Sequence, residues 1–328
     1  MTTWTGKTKA VDAASALQNE IRGKNVLVTG VSPNSLGAET VRVLAPYAQS
    51  VILAGRSQSK IDETIAAVKA QTPTASLKSV ILDLASIESI KQAAAEVNAL
   101  AIPIHAVINN AASAQHKTIV KTADGFEAQF GINHLGHFLF TSLIMPSVRR
   151  AVGSVDGFAP RIVAVASAAH SSMRGAIRFD DLFFEKRPEE YDSQMAYAAS
   201  KTANIQFVRL LARKLAPEGI LAFSLHPGVI LETGMGSVPT VEELHGWGLV
   251  DKNGKPYRDD TLKTIEEGTS TQVIAAFDPN LKDRSGVYLL DGVPRDDLVA
   301  DCASDDAVAE RLWVLSEKLV GQPFDVKS

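Results

Sequence analysis

The sequence predicts an α/β fold built on an open parallel sheet that is covered by helices on both faces. Seven short, β-branched apolar runs recur along the chain, and helix-length segments separate most of them. These runs do not alternate with polar residues, which is typical of strands buried on both faces. The alternation of strands with helices indicates a doubly wound parallel sheet of about seven strands in a single domain. The predicted strands cover residues 26–28, 51–53, 80–82, 106–108, 162–165, 220–225 and 287–290.

Five helices are predicted between these strands, because apolar residues recur there at three- and four-residue steps. They cover residues 36–47, 59–71, 86–99, 123–145 and 193–216. A weak amphipathic stripe from Val11 to Ile21 predicts a helix at the edge of the sheet, and a stripe from Val308 to Leu319 predicts a helix that packs on the core. We therefore expect an N-terminal helical extension over residues 1–22, a core domain over 23–295 and a C-terminal helical extension over 296–328.

Composition and charge exclude several classes of protein. The chain has 328 residues, of which 45% are hydrophobic, and its net charge of −4 gives little electrostatic support for a nucleic-acid partner. The one cysteine, Cys302, cannot form an internal disulfide, which favours a reducing compartment such as the cytoplasm. No apolar run is long enough to span a membrane, and the N-terminus lacks a signal-peptide pattern.

The segment after the first strand predicts a turn that binds a dinucleotide. Gly30 follows the strand, and Gly37 lies at the start of the next helical pattern. N–H groups at a helix start can bind a pyrophosphate, and the glycines allow a sharp turn and close packing of helix on strand. Asn34 or Ser35 stands where a third glycine is usual, so a plain strand-to-helix connection is the alternative. The candidate cofactor contacts are Gly30, Ser32, Asn34, Ser35, Leu36 and Gly37.

The second strand is followed by Arg56 and Ser57, at the position where an NAD site places an acidic residue against the ribose hydroxyls. A guanidinium instead pairs well with a 2′-phosphate and cannot accept hydrogen bonds from hydroxyls. The sequence therefore predicts NADP(H) as the cofactor. A solvated arginine at a helix start is the alternative interpretation.

The third and fourth strands should border the same site. Asp83 and Leu84 follow the third strand, whereas Asn109 and Ala111 stand at the end of the fourth. Ligands of open α/β sheets bind at the carboxyl ends of the strands. Singly, Asp83 is as well explained as a helix cap and Asn109 as a turn former. Their common placement favours a cofactor site.

A tyrosine and a lysine supply the candidate chemistry. Tyr197 and Lys201 lie four residues apart and hence on one face of a predicted helix. A nearby ammonium lowers the pKa of a phenol and allows it to exchange protons nearer neutral pH. The spacing alone also arises by chance, so the context decides. Ser167, after the fifth strand, can hold a substrate oxygen; Asn133 can bridge to Lys201 through a water, or can be a buried structural residue.

Taken in order, these motifs closely resemble the short-chain dehydrogenase/reductase family over residues 24 to about 292. The runs His-Leu-Gly-His-Phe at 134–138 and His-Pro-Gly at 226–228 resemble its retinol dehydrogenase and WW-domain oxidoreductase branch. The resemblance implies a Rossmann-type fold and hydride transfer between a nicotinamide and a carbonyl or alcohol carbon. It also implies frequent association as homodimers or homotetramers, through the helices that carry Asn133 and Tyr197.

The resemblance further implies a catalytic tetrad. Tyr197 would be the general acid/base, Lys201 would lower its pKa and bind the nicotinamide ribose, Ser167 would orient the carbonyl, and Asn133 would hold a relay water. Arg56 would meet the 2′-phosphate. The other implied cofactor contacts are Asp83 and Leu84 at the adenine, Asn109 and Ala111 along the cofactor, and Pro227, Gly228, Val229 and Thr233 near the carboxamide.

Two segments are candidates for the substrate pocket. Residues 171–195 form an apolar insertion that includes Phe183 and Phe184, and residues 229–268 form a candidate lid that is rich in Gly, Pro and polar groups. The insertion is either the wall of a hydrophobic pocket or packs beneath its own loop. We expect a small hydrophobic carbonyl compound or alcohol as substrate.

Other functions are less well supported. His134 and His137 lie three residues apart on a predicted helix but lack further ligands at suitable spacing, so no metal site is predicted. A catalytically weak NADP(H)-sensing binding protein and an interaction scaffold on the same fold are the alternatives to an enzyme. The joint presence of Ser167, Tyr197 and Lys201 favours the enzyme.

Overall fold

A computed structural model of the chain describes residues 3–114, 116–155, 157–172, 175–232, 240–246, 248–257 and 262–326. One sheet runs through this part of the chain, and each of the seven predicted strands is found in it. The strands are β1 (Asn25–Thr29), β2 (Ser50–Gly55), β3 (Leu77–Ile81), β4 (Ala106–Asn109), β5 (Arg161–Val165), β6 (Leu221–His226), β7 (Tyr288–Leu290) and β8 (Val293–Pro294).

The strand order is β3-β2-β1-β4-β5-β6-β7-β8, and every pair is parallel except β7 with β8. The chain winds outward from β1 in one direction and then, through β4, in the other. A doubly wound parallel sheet is thereby confirmed. A crevice forms where the direction of winding reverses, at the carboxyl ends of β1 and β4.

The eighth strand was not predicted. Leu290 pairs with Val293 in β8, so Asp291 and Gly292 form the two-residue loop of a tight hairpin. Both loop residues have positive φ, 56° and 77° respectively. An Asp-Gly pair with this geometry is a strong short-range hairpin signal, but the returning strand has only two residues and no apolar run.

Four of the five predicted helices agree with the structure to within three residues at either end. Several begin at side-chain caps: Ser35, Ser57, Ser86 and Asp192 each accept a hydrogen bond from a main-chain N–H in the first turn.

The α-helices are α1 (Ala10–Ala16), α2 (Gln18–Ile21), α3 (Leu36–Leu44), α4 (Gln58–Gln71), α5 (Ile87–Ala99), α6 (Ala128–Phe130), α7 (His137–Arg149), α8 (Ala169–Ser172), α9 (Ser193–Leu215), α10 (Val241–Gly246), α11 (Ile265–Phe277), α12 (Asp301–Ser304) and α13 (Asp306–Val320).

The helix predicted over residues 123–145 differs from the structure. Residues 121 and 127 pair as an isolated β-bridge, and the helix begins only at α6, where the carboxylate of Glu127 accepts hydrogen bonds from the N–H groups of Gln129 and Phe130. Between α6 and α7 the chain takes a π-helical turn, Gly131–Gly136. This turn inserts one extra residue into the helix, which apolar periodicity does not reveal.

The core lies on both faces of the sheet. Helices α5, α7, α9 and α13 cover one face, and α1, α3 and α11 cover the other. The N-terminal helix α1 was expected at the edge of the sheet but packs against α11 and α3, with Ala10, Ala13 and Ala14 buried. In the described residues, no helix is both long and apolar enough to cross a lipid bilayer.

Aromatic side chains fix α13 against the central helices. Trp313 is only 5% exposed, and its ring contacts those of Phe138 on α7, Phe207 on α9 and Phe324, which follows α13. The outward sides of α7 and α9 at this point are therefore covered by the chain's own C-terminal helix.

Candidate active site

The glycine-rich turn between β1 and α3 has the backbone geometry expected of a phosphate-binding turn. Gly30 and Asn34 have φ values of 74° and 57°. Asparagine tolerates this left-handed conformation, so it can stand where a glycine is usual. A Cβ on Gly37 would overlap the main-chain oxygen of Gly30 and lie 2.7 Å from Nδ2 of Asn110. Gly37 therefore allows α3 to pack directly on the turn.

A cavity of about 600 Å³ lies at the carboxyl ends of β1, β4, β5 and β6, beside this turn. Most of the residues predicted for the site meet there, although they come from distant parts of the chain. Those that line the cavity are Gly30, Ser32, Asn34, Ser35, Leu36, Arg56, Asp83, Leu84, Ala111, Ser167, Tyr197, Lys201, Pro227, Gly228 and Val229.

Four predicted residues do not line the cavity. Gly37 packs beneath the turn. Ser57 caps α4 by accepting from the N–H of Lys60 at 3.4 Å. Asn109 is buried and donates from Nδ2 to Oγ1 of Thr141 at 2.9 Å, so it faces α7. Asn133 is also buried, and Thr233 lies outside the described residues.

Asn110 and Lys60 line the cavity but were not predicted as site residues. Asn110 donates from Nδ2 to the main-chain oxygen of Thr29 at 2.9 Å and so ties the end of β4 to that of β1. Lys60 lies in the first turn of α4, four residues after Arg56. Its closeness to Arg56 in the sequence is the signal that could have identified it as a second cation at the same end of the cavity.

Tyr197 and Lys201 reach the cavity from α9. Nζ of Lys201 lies 5.5 Å from the centroid of the Tyr197 ring and donates to the main-chain oxygen of Val165 at 2.9 Å. Ser167 follows β5, and its Oγ accepts a hydrogen bond from the N–H of Ala169 at 3.2 Å. The hydroxyl hydrogen of Ser167 therefore stays available for a ligand oxygen or for Tyr197.

Burial, more than the attraction between the two groups, sets their protonation. It raises the pKa of Tyr197 to about 12, against the lowering effect of a hydrogen bond with Ser167. It also lowers the pKa of Lys201 from 10.5 to about 7. Desolvation disfavours the charged form of either group, so the expected lowering of the phenol pKa by Lys201 is not found in the protein itself. Tyr197 therefore carries its proton at neutral pH.

The side chain of Asn133 is a clamp between elements. Its Oδ1 accepts from the N–H of Ser113 at 2.7 Å, and its Nδ2 donates to the oxygen of Ser113 and to Oγ of Ser200, both at 2.9 Å. Both amide hydrogens are thus engaged, and no contact with Lys201 is found. Asn133 joins the loop after β4 to α9.

His134 and His226 are buried and neutral. His134 contacts Oγ of Ser316 on α13 at 2.8 Å, and burial lowers its pKa to about 3. His226 lines the cavity at the end of β6, and its Nδ1 is buried without a hydrogen-bond partner among the described residues. Its pKa is lowered to about 3, chiefly by burial and then by Lys263. The described part of the chain contains no cluster of three or more potential metal ligands.

The described residues of the apolar insertion do not line this cavity, except at its end, where Ser193 and Gln194 do. Phe183 packs against Phe126 and Phe130, and the buried Phe184 packs against Tyr191. Met173, also part of that prediction, lies outside the described residues. Packing beneath the loop therefore explains Phe183 and Phe184 better than substrate contact does.

Part of the predicted lid does border the cavity and adds to its apolar lining. Ile230, Leu231 and Leu249 line the cavity, whereas residues 264–268 belong to the start of α11, where Thr264 and Glu267 form a capping box. Residues 233–239, 247 and 258–261 of that segment lie outside the described residues.

Fold and site together define a class of protein, and comparison with known sequences agrees. The profile of the family described as short chain dehydrogenase matches residues 24–176 and 188–242. The chain belongs to this family, and it is an oxidoreductase of the type that uses a nicotinamide cofactor.

Within the family the chain falls in the retinol dehydrogenase branch. It is 35% identical to human retinol dehydrogenase 13 over 303 residues, which cover 92% of this chain and 86% of the relative. It is 34% identical to mouse retinol dehydrogenase 12 over 302 residues, which cover 92% and 88%.

Solved structures share the fold at lower sequence identity. A carbonyl reductase from chicken fatty liver, solved with NADPH bound, superposes with a TM-score of 0.58 at 22% identity, covering 82% of this chain and 96% of its own. A short chain dehydrogenase from Mycobacterium paratuberculosis, bound to NAD, gives a TM-score of 0.62 at 18% identity, covering 82% and 96%.

Proposed function

We propose that the protein is an NADP(H)-dependent oxidoreductase that transfers a hydride between the nicotinamide and a hydrophobic carbonyl compound or alcohol, with Tyr197 as the general acid/base. One observation carries the proposal: Ser167, Tyr197 and Lys201 line the same cavity as the glycine-rich turn. A binding protein without chemistry has no use for this combination of hydroxyl, phenol and amine.

The residues at the other end of the cavity fit a phosphorylated dinucleotide. The turn presents the N-terminus of α3, which favours a pyrophosphate. Arg56 and Lys60 place two cations at the end of β2, where a 2′-phosphate would lie. Binding NAD would instead call for an acidic residue at this point, and none follows β2 directly.

The chemistry of the protein's own groups follows from their protonation. Bound NADPH supplies the hydride. Tyr197 keeps its proton at neutral pH, because burial raises its pKa to about 12, and can donate it to the oxygen of a carbonyl. Ser167 can donate a hydrogen bond to the same oxygen. A protonated Lys201 then stabilises the phenolate that remains. These states suit reduction, which we propose as the preferred direction.

The apolar lining indicates the substrate class. Ile230, Leu231 and Leu249 border the cavity, and relatives at about a third identity are named retinol dehydrogenases. We therefore propose an aldehyde or ketone, or the matching alcohol, that carries an extended apolar group.

The test is a panel of carbonyl compounds and alcohols measured with NADPH and with NADH. Tyr197→Phe should reduce turnover at least about a hundredfold while NADPH binding, followed by fluorescence, stays near normal. Tyr257→Phe, at a tyrosine that is 57% exposed, is the matched control. Retained turnover in Tyr197→Phe would remove this residue from the mechanism. NADPH binding without turnover of any compound would favour the sensor.

Arg56→Asp tests the cofactor assignment. The substitution should weaken the binding of NADPH more than that of NADH, because it replaces a cation beside the proposed 2′-phosphate with an anion. Equal losses for the two cofactors would contradict this role of Arg56.

A further inference from the structure

His137 joins two parts of the candidate site, although it does not line the cavity. The side chain is 3% exposed, at the start of α7. Its Nε2 lies 2.9 Å from Oγ1 of Thr29, the last residue of β1, and its Nδ1 lies 3.1 Å from the main-chain oxygen of Asn133 in the π-helical turn. One imidazole thus spans from the strand that leads into the glycine-rich turn to the asparagine clamp.

The partners of the ring fix which nitrogen carries the proton. Oγ1 of Thr29 accepts hydrogen bonds from the N–H groups of Asn110 and Ala111, each at 3.0 Å. A hydroxyl oxygen has two lone pairs, so both are used and the Thr29 O–H must itself donate to Nε2 of His137. The main-chain oxygen of Asn133 can only accept. The proton of the ring is therefore on Nδ1, and the direction of donation runs from Thr29 to His137 to Asn133.

The same line of hydrogen bonds continues to the tyrosine. The side chain of Asn133 donates to Oγ of Ser200 at 2.9 Å, and Oγ of Ser200 donates to the main-chain oxygen of Tyr197 at 2.6 Å. A buried path of four residues thus runs from the end of β1 to the backbone of Tyr197. It enters Asn133 at the main-chain oxygen and leaves through the side chain, and Asn133 and Ser200 are both fully buried.

We propose that His137 is a positioning residue for hydride transfer, which holds the π-helical turn and, through Asn133 and Ser200, the backbone of Tyr197 in register with the cofactor-binding turn. This inference rests on the proposed function. In this role the imidazole positions Tyr197 without contacting the substrate or the cofactor. The role also explains why a polar ring stands beside the apolar residues Phe138 and Leu139 of α7.

The surroundings keep the ring in its neutral form. The pKa of His137 is lowered to about 4, chiefly by burial and to a smaller extent by the charge of Lys201, whereas the hydrogen bond to Asn133 acts in the opposite direction. A proton on Nε2 would point at the Thr29 oxygen, whose lone pairs are already engaged. The arrangement therefore holds at neutral pH without a charge.

Two substitutions separate positioning from simple packing. His137→Phe keeps a planar ring of similar shape but removes both hydrogen bonds. His137→Gln keeps an acceptor and a donor a comparable distance apart, so it can still accept from Thr29 and donate to Asn133. Kinetics with NADPH and the best carbonyl substrate, NADPH binding by fluorescence and thermal unfolding are measured for both variants and for the wild-type protein.

We expect kcat to fall at least about tenfold in His137→Phe, because displacement of a reacting group by a fraction of an ångström slows the reaction strongly. In His137→Gln at least half of that loss, on a logarithmic scale, should be recovered. NADPH affinity should change less than about threefold, since the turn keeps its other contacts. Thermal stability should not follow the order of the kcat values.

Unchanged kcat in His137→Phe would overturn the inference, as would a loss of kcat that simply follows thermal stability in both variants. If His137→Phe does not fold, a His137→Gln variant that folds but is as slow as Tyr197→Phe also refutes it. These results leave the proposed function intact. Absence of turnover in the wild-type protein, with every compound and both cofactors, would instead overturn the proposed function and this inference with it.

Discussion

Replacement of Lys201 by methionine should stabilise the fold while it abolishes turnover. The amine is buried to 1% exposure, and its one hydrogen bond among the described residues is to the main-chain oxygen of Val165. A buried cation without a carboxylate partner opposes folding. Methionine fills a similar volume without a charge. The oxygen of Val165 keeps a donor after the exchange, because Nδ2 of Asn204 lies 3.3 Å from it.

The size of the effect follows from the pKa of Lys201. A lowering of the pKa from 10.5 to about 7 means that the protonated amine lowers the free energy of unfolding by roughly 5 kcal/mol when it is charged in both the folded and the unfolded protein. Loss of the hydrogen bond to Val165 offsets about 1–3 kcal/mol of this. Lys201→Met should therefore raise the free energy of unfolding at neutral or lower pH by about 2–4 kcal/mol.

The same shift in the pKa of Lys201 determines how the stabilising effect of Lys201→Met changes with pH. Below pH 7 both the folded and the unfolded protein carry the proton, so the opposition to folding is complete. As the pH rises towards 10.5, the folded protein loses the proton first, and the opposition fades. The advantage of Lys201→Met should thus be largest at about pH 6 and small at about pH 10.

Urea unfolding of the wild-type protein and of Lys201→Met across this pH range measures the difference. Lys91→Met, at an exposed lysine on α5, is the matched control and should change stability by less than about 0.5 kcal/mol. A Lys201→Met protein that is less stable than wild type at about pH 6, or whose advantage grows with pH, would refute the reasoning.

Two further predictions concern packing. Gly37→Ala should weaken NADPH binding and lower the free energy of unfolding by about 1–3 kcal/mol, because a Cβ there overlaps the backbone of the turn. Gly246→Ala is the control, since a Cβ at that position meets nothing within 4 Å, and equal effects at both positions would contradict the role of Gly37. Trp313→Ala should lower the free energy of unfolding, measured by chemical denaturation, by about 3–5 kcal/mol. Val314→Ala, at a position 63% exposed, should lower it by less than about 1 kcal/mol. A Trp313→Ala protein of wild-type stability would show that α13 does not hold α7 and α9.

Patterns in the sequence predicted the sheet well, because local periodicity is a direct consequence of burial on one or both sides. Continuous apolar runs such as that of β5 can lie only between two layers of helices. The π-helical turn escaped prediction, since Asn133 within it binds the main chain of Ser113, 20 residues earlier. The late start of α6 escaped prediction because it depends on a local cap, in which Glu127 accepts from the N–H of Phe130. Neither contact leaves a periodic signal.

In the candidate site, the position of most residues was predicted from the sequence, whereas the direction of their side chains was not. Its members were predicted because the carboxyl ends of parallel strands meet at one edge, whatever the details of packing. The direction in which each side chain points was not predicted. Asn109 and Asn110 are neighbours, yet the first faces α7 and the second lines the cavity. Likewise, the pKa of Tyr197 depends on how deeply α9 is buried, which its spacing from Lys201 does not reveal.

The contact between α13 and the central helices has a consequence for synthesis of the protein. Phe138 and Phe207 leave the ribosome long before Trp313 and Phe324, which cover them. Roughly a hundred residues separate Phe207 from Trp313, so at about 5–20 residues per second the Phe207 ring stays uncovered for about 5–20 s during translation, and the Phe138 ring for longer. Apolar surface exposed in this interval favours aggregation of the nascent chain, and a chaperone that binds such surface would protect the chain there.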